Sequence, residues 1–530
     1  MARDVAPTRS IDGLGEPLTT DQQRDTTSGR TTSRTTSRSA TLPGSAVALP
    51  VDPGIGVGAF ARKTAPPPAW MVAIPIGLAI ALIPAYLTSV LLVGVAGVAV
   101  LMARPLWALY ALAFTVPYQG LADFRYQNVN VTPTEAVFLL LVVGWGTARA
   151  AGRVPSPSLT PLVIAIGLLL SLLVLSCVVA PNLVLAGKEL VKWVEVAGVT
   201  LIGQSLLVRI ADRRMMFLVM TAAVVSQAVY GLLQATLHWG PDHFMIGTWL
   251  MRAYGSFEQP NPYAGYLGLH LPLVLSVALF GVRTRPARWF WGGASAVLAV
   301  ALVTTMSRGA WLGQITGILT VVLIESRSAR HAVLTFGGLG SVILLALWPV
   351  LPSEVTDRIG SIFGSFFSVF SMASMTLTPE NWAVMERLSQ WYAGWQMFSA
   401  NPIVGVGIGN YNTAYDTYRL PQWPVALGHA HNHYLTIAAE AGLFACIAYI
   451  IVILVAVRST RTAWRTATTS YGRAIALGTL GSIGALATHN LVDVLFVHGM
   501  SVTVGLLLAL SSVSDERDQV PSGLISRIMN

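Results

Sequence analysis

The chain has 530 residues, of which 54% are hydrophobic and only 11% are charged, with a mean hydropathy of +0.63. Soluble domains carry about a quarter charged residues, so this composition excludes a soluble globular protein and indicates an all-α, polytopic membrane protein. The net charge of +9 would suit nucleic acid. However, the arginines sit in short connections between apolar runs and lack interleaved aromatics, so the expected partner is the lipid bilayer and no nucleic acid. The two cysteines, Cys177 and Cys446, lie inside apolar runs; neither has metal spacing, and a disulfide framework is not indicated.

Residues 1–68 are rich in Thr, Ser, Arg, Pro and Gly. Such a segment buries too little apolar surface to offset its ordering entropy, so a disordered tail is expected. From Trp70 onward, apolar runs alternate with short polar connections. They predict 12–14 membrane helices within 69–513, near 70–84, 86–103, 105–119, 133–149, 160–180, 189–208, 215–237, 261–282, 289–306, 309–325, 331–351, 433–457, 474–492 and 497–513. The first two runs are short and closely joined.

Arginines mark alternate connections: Arg149 and Arg153; Arg209, Arg213 and Arg214; Arg283, Arg285 and Arg288; Arg327 and Arg330; Arg458, Arg461, Arg465 and Arg473. The inside-positive bias assigns these to the cytoplasm, together with both termini, including a second tail over 514–530. The opposite connections face outside, and one of them, 352–431, is long. Within it Trp382, Met385, Leu388, Trp391, Trp395 and Phe398 recur at helical spacing, which predicts a helix lying at the interface or packed on the bundle. Asn401-Pro402 ends this helix, and Gly405, Gly407 and Gly409 permit an irregular backbone after it.

Several cations break the inside-positive pattern. Arg252, Arg308, Lys188, Lys192, Arg358 and Arg387 all map to the outer face. Ionisable groups at a membrane edge are costly and face a polar cavity or a partner. Local acids offer such partners: Glu189 and Glu195 for the lysines, Glu258 for Arg252, and Glu386 or Asp357 for Arg387. Arg308 has no acid near it in sequence. A guanidinium fork also suits phosphate, so the same set could serve a lipid-linked diphosphate.

The stretch Gly428-His429-Ala430-His431-Asn432-His433-Tyr434 places three imidazoles at the mouth of an apolar run. Imidazole titrates near neutrality and can act as a general base, or the stretch can simply cap a helix. Asn261, held between Pro260 and Pro262, is a candidate helix cap. His489 and Asp493, four residues apart, share a helix face, where packing or a satisfied hydrogen bond is the expected role.

Taken together, these stretches resemble the O-antigen ligase and polymerase superfamily of bacterial membrane glycosyltransferases. His431-Asn432 is followed by nine residues and then Gly442-Leu443-Phe444, with Ala445 where the family has a second glycine. The segment 401–411, Arg252 with Gly255-Ser256-Phe257, Ser307-Arg308-Gly309 and the stretch from His489 to Asp493 are also similar, so the resemblance covers about 185–513. It implies a helical, metal-independent enzyme of the bacterial cell membrane that needs no cofactor. The implied donor is a glycan on undecaprenyl diphosphate, and the acceptor is a hydroxyl of a glycan, glycolipid or protein. On this basis His431 is expected to be the general base and Arg252 and Arg308 to hold the diphosphate. Asn432, Asn261, Arg387, Lys188, Lys192, His489 and Asp493 are expected to support them. The motifs do not separate a ligase from a polymerase extending a lipid-linked glycan. A multi-pass transporter is the alternative of a different class, against which stands the lack of an inverted hydropathy repeat.

Overall fold

A computed structural model describes residues 85–121, 124–126, 129–325, 327–351, 356 and 382–511. The expected tails at 1–68 and 514–530, the first apolar run, Asp357 and Arg358 lie outside the described residues. Everything described belongs to one compact unit, Ile80–Asn530.

Helices dominate that unit. They are α1 (Ala85–Ala103), α2 (Pro105–Thr115), α3 (Pro133–Ala150), α4 (Pro161–Ser176), α5 (Leu183–Leu206), α6 (Ile210–Leu237), α7 (Pro260–Ser276) and α8 (Arg285–Thr304). They continue with α9 (Arg308–Glu325), α10 (Arg327–Leu347), α11 (Trp382–Ala400), α12 (Tyr411–Tyr418), α13 (His433–Thr466), α14 (Ser470–His489) and α15 (Met500–Leu510). Two small antiparallel hairpins interrupt them: β1 (Phe124–Tyr126) with β2 (Val129–Val131), and β3 (Met245–Ile246) with β4 (Leu250–Met251).

The helix starts follow local chemistry. Thr132 and Glu135 form a reciprocal capping box on α3, with Pro133 just inside it. Thr160, Asn182 and Thr469 cap α4, α5 and α14 with their side-chain oxygens.

Among the described residues, five helices are long and apolar enough to cross a membrane: Pro161–Val179, Ile210–Leu237, Pro260–Gly281, Arg285–Thr304 and His433–Thr466. A sixth crossing arises if Val93–Ala103 and Pro105–Gly120, bent by 117° at their junction, form one span. The sequence suggests two spans there; the structure shows a sharp bend at Arg104-Pro105, because Pro105 can neither donate to the preceding turn nor let Arg104 stay helical. Other expected runs form helices that are shorter or more charged. α5 carries Lys188, Glu189, Lys192 and Glu195, and α15 has only 11 residues, all buried.

The helices of the core pack closely through small residues, as membrane helices do where apolar lipid supplies no hydrophobic drive. A side chain on Gly481 of α14 would meet Val321 of α9 at 2.7 Å and Pro272 of α7 at 2.9 Å, so these three helices meet at near-backbone contact. α11 buries Met385, Leu388, Ala393 and Met397, while Trp382 and Trp395 remain about half exposed. The expected tryptophan stripe therefore divides: Met385 and Leu388 pack with Trp423, while the half-exposed Trp382 and Trp395 lie against Trp423 and Phe398 at 4.7 and 5.6 Å.

Candidate active site

Asn432 caps α13, its side chain accepting the Leu435 amide at 3.0 Å. The chain must leave the helix immediately before this cap, and His431 does so with φ of +50°. That left-handed conformation costs roughly 1–2 kcal/mol for a residue with a β-carbon, so surrounding contacts must hold it. The His431 amide donates to His429 Nδ1 at 3.1 Å, and Trp391 Nε1 donates to the His431 carbonyl at 3.3 Å. Finally, His431 Nδ1 lies 3.1 Å from Asp493 Oδ1. The carboxylate accepts from Nδ1–H, which leaves Nε2 as the basic nitrogen.

The His431 and Asp493 side chains are only 15% and 10% exposed. Burial alone would raise the Asp493 carboxyl. The His431 hydrogen bond and the positive charge of Arg387 outweigh it and hold Asp493 well below the usual carboxylate range. His429 behaves oppositely: burial, reinforced by the neighbouring His431, pushes it down to about 4. A neutral His429 is what its acceptor role toward the His431 amide requires. His429, His431 and Asp493 also bring their ligand atoms within 4.8 Å of one another, close enough to share a metal ion. The sequence does not suggest this grouping, because Asp493 lies 62 residues from His431.

His433 sits in different surroundings. It is 3% exposed, stacked on Phe496 at 4.6 Å and near Trp193 at 6.0 Å, with the Tyr449 edge at 4.9 Å. Neither ring nitrogen has a hydrogen-bond partner among the described residues. Its backbone amide donates to the Asn490 carbonyl at 2.8 Å, which ties the start of α13 to the turn after α14.

That turn carries Asp493, whose amide donates to the His489 carbonyl at 3.1 Å. His489 in turn packs on α9: a side chain on Gly309 would meet its ring at 3.0 Å. Arg308, the first residue of α9, is thus placed beside the His489–Asp493 turn. Three residues earlier, the Thr305 carbonyl accepts from Arg252 Nε at 2.9 Å, and Arg252 Nη2 donates to Asn261 Oδ1 at 3.3 Å. Asn261 therefore orients a guanidinium; the expectation that it caps α7 is not met, since Gln259 occupies the cap position. Arg252 and Asn261 line a cleft of about 220 Å³ with His243, Phe244 and Glu258.

The remaining expected residues divide. Lys192 pairs with Glu189 at 2.5 Å, as one of the local alternatives anticipated, and Lys188 of the same helix is exposed. Arg387 of α11 acts on Asp493 and His429 through its charge. The glycine-rich segment braces the site from behind. The Val406 and Gly407 amides donate to the Ala439 and Glu440 carbonyls at 2.9 Å, and the Tyr411 amide to Glu440 Oε1 at 3.0 Å. This approach requires Gly442, where α13 breaks with φ of +81° and any β-carbon would lie 2.0 Å from the Ile403 carbonyl. Ala445, the departure from the family pattern, is fully buried without such a backbone clash.

Two contributors are absent from the sequence-level expectations. Gln227 and Gln234, both 1% exposed on α6, hold the loop that follows Arg252. Gln234 Oε1 accepts the Gly255 amide at 2.7 Å, and Gln227 Oε1 accepts the Ser256 amide at 3.1 Å. The available signal was two glutamines seven residues apart, hence on one face, in an otherwise apolar run.

Comparison of the chain with curated proteins finds no match. Residues 293–450, which include Arg308, Arg387 and His431 but stop before Asp493, match the family described as O-antigen ligase. This match, on a bundle of apolar helices with the arginine and histidine stretches gathered at one end, supports membership of the chain in the O-antigen ligase superfamily.

Proposed function

We propose that the protein transfers a glycan from undecaprenyl diphosphate to an acceptor hydroxyl on the extracytoplasmic face of the membrane, as a ligase. His431 Nε2 takes the proton from the acceptor hydroxyl. The freed oxygen attacks the anomeric carbon of the donor while the bond from that carbon to the diphosphate breaks, and the electron pair leaves with the diphosphate. Attack from the opposite side inverts the configuration. Asp493 keeps His431 in the tautomer that exposes Nε2 and stabilises the imidazolium that forms. Arg252 and Arg308 offset the charge that builds on the leaving diphosphate.

The observation that carries this reading is the His431 Nδ1–Asp493 Oδ1 contact of 3.1 Å, made on a residue held in a left-handed conformation. Residues in sparsely populated backbone regions cluster at functional sites. The Arg252 guanidinium, fixed by Thr305 and Asn261, adds a pre-set donor plane at the same end of the bundle.

The test uses purified protein, a lipid-linked donor and a separate acceptor, with and without a chelator. Transfer to the separate acceptor that persists in chelator supports the assignment. Loss in chelator with recovery on adding a divalent ion would make His429, His431 and Asp493 a metal site and remove His431 as the base. A ladder of longer lipid-linked chains with no transfer to the acceptor would replace the ligase with a polymerase.

A further inference from the structure

A second polar site lies at the other end of the bundle. α14 runs from Ser470 to His489, about 30 Å at 1.5 Å per residue. The imidazoles gather at its last turn, and a cleft of about 520 Å³ opens at its first. Arg214 at the start of α6, Arg283 and Thr284 before α8, and Thr469, Ser470 and Tyr471 around the start of α14 line this cleft. No carboxylate is among its lining residues. The N-terminus of α14 adds the positive end of a helix dipole.

The inside-positive bias accounts for basic residues on this face, but not for how they are used. The neighbouring arginines are spent on protein partners. Arg209 pairs with Asp212 at 2.9 Å, Arg213 donates to the Leu207 and Val208 carbonyls at 3.0 and 2.9 Å, and Arg473 pairs with Glu325 at 3.0 Å. Arg214 differs. Its guanidinium carbon lies 5.0 Å from the Tyr471 ring centre, and its buried Nε has no hydrogen-bond partner among the described residues. Tyr471 lines the same cleft, is 5% exposed, and its hydroxyl also has no partner there. Buried donors without acceptors are rare in native structures and call for an occupant.

We propose that this cleft binds a phosphate group, either the headgroup phosphate of an anionic phospholipid or free phosphate. The chemistry fits: two guanidinium forks, hydroxyl donors and a helix N-terminus all favour a tetrahedral oxyanion. Ile210–Leu237, Pro260–Gly281 and Arg285–Thr304, which end at the cleft, are long and apolar enough to cross a membrane, so a headgroup can reach it while its chains stay in the bilayer. This site is separate from the glycan-transfer chemistry and does not depend on it.

The test is native mass spectrometry of the full chain in detergent, titrated with phosphatidylglycerol, phosphatidylcholine or inorganic phosphate. Retention of phosphatidylglycerol over phosphatidylcholine is expected, weakened about tenfold in Arg214→Gln/Arg283→Gln, as expected for loss of charge-assisted hydrogen bonds. The pair Arg458→Gln/Arg461→Gln, exposed on the same face but outside the cleft, should leave retention unchanged. Binding of inorganic phosphate alone, with the same dependence on Arg214 and Arg283, would identify the free ion as the occupant. Equal retention in wild type and Arg214→Gln/Arg283→Gln, or an equal loss in Arg458→Gln/Arg461→Gln, would overturn the proposal. Should the double variant fail to fold, Arg283→Gln at its exposed position is read alone against the same control.

Discussion

His431 and His433 are two residues apart and have opposite surroundings. The first belongs to a polar rim with His429, Asp493 and Arg387, where its amide, carbonyl and Nδ1 are each held by a partner and the ring is anchored through one nitrogen. The second belongs to an aromatic box of Trp193, Tyr449 and Phe496, where neither nitrogen has a hydrogen-bond partner among the described residues. The difference teaches that the side chain itself does not define a base. A base needs one nitrogen fixed by an acceptor and the other left for the substrate, and only the rim provides that. The box instead uses an imidazole as a flat, neutral packing element that locks the start of α13 to the turn carrying Asp493.

The sharpest way to break this comparison is to remove the two members of the dyad. His431→Ala should lower turnover by about 10²–10⁴-fold, the usual share of a positioned base, while lipid-linked donor still binds. Asp493→Asn should cost less, about ten- to a hundredfold, the value of one hydrogen bond to a charged group. Steady-state transfer rates and donor-binding titrations separate the two, and full activity in His431→Ala would move the chemistry elsewhere.

The arginines extend the rim. Arg252→Lys keeps the charge but cannot span both Thr305 and Asn261, so transfer should fall about tenfold with the loss largely in turnover. A change confined to donor affinity would mean that Arg252 holds the ground state only.

pH probes the rim through His429. Its pKa falls from an ordinary 6.5 to about 4 in the fold. Below 6.5 the unfolded chain takes up a proton that the folded chain refuses until about 4, so stability should decline as pH falls through that window and level off beneath it. Asp493, held below the ordinary 3.8, adds a further loss only at more acid pH. Thermal unfolding in detergent checks this. His429→Asn, which retains an acceptor for the His431 amide, should lessen the decline between 6.5 and 4, the rest of which His489, also lowered to about 4, helps to carry. An unchanged slope would assign it to another group.

The smallest expected effect is in the box. His433→Phe preserves the stacked plane and removes two nitrogens without partners, so turnover should stay within about twofold and stability should hold or rise, because no hydrogen bond is lost. A loss comparable to that of His431→Ala would end the distinction between rim and box.

Hydropathy alone was sufficient to establish an all-α membrane protein, because charge is too scarce to solvate the apolar runs and a backbone in lipid must satisfy its own hydrogen bonds. The inside-positive pattern likewise singled out Arg252 and Arg308, which break it at a cost, whereas only the family resemblance chose His431 among the three imidazoles. The helix cap offered by the histidine stretch was legible because it is local: Asn432 accepts the amide of Leu435, three residues on. What the linear chain could not carry were the pairings across it. Asp493 completes His431 from 62 residues away, Asn261 orients Arg252 where a cap was expected, and Gln227 and Gln234 hold the arginine loop from a membrane helix. The bend at Arg104-Pro105 also turned two expected crossings into one bent pair. These outcomes depend on which helix faces meet, and that is set by packing of small residues between distant segments, a property of the folded bundle and not of any local stretch.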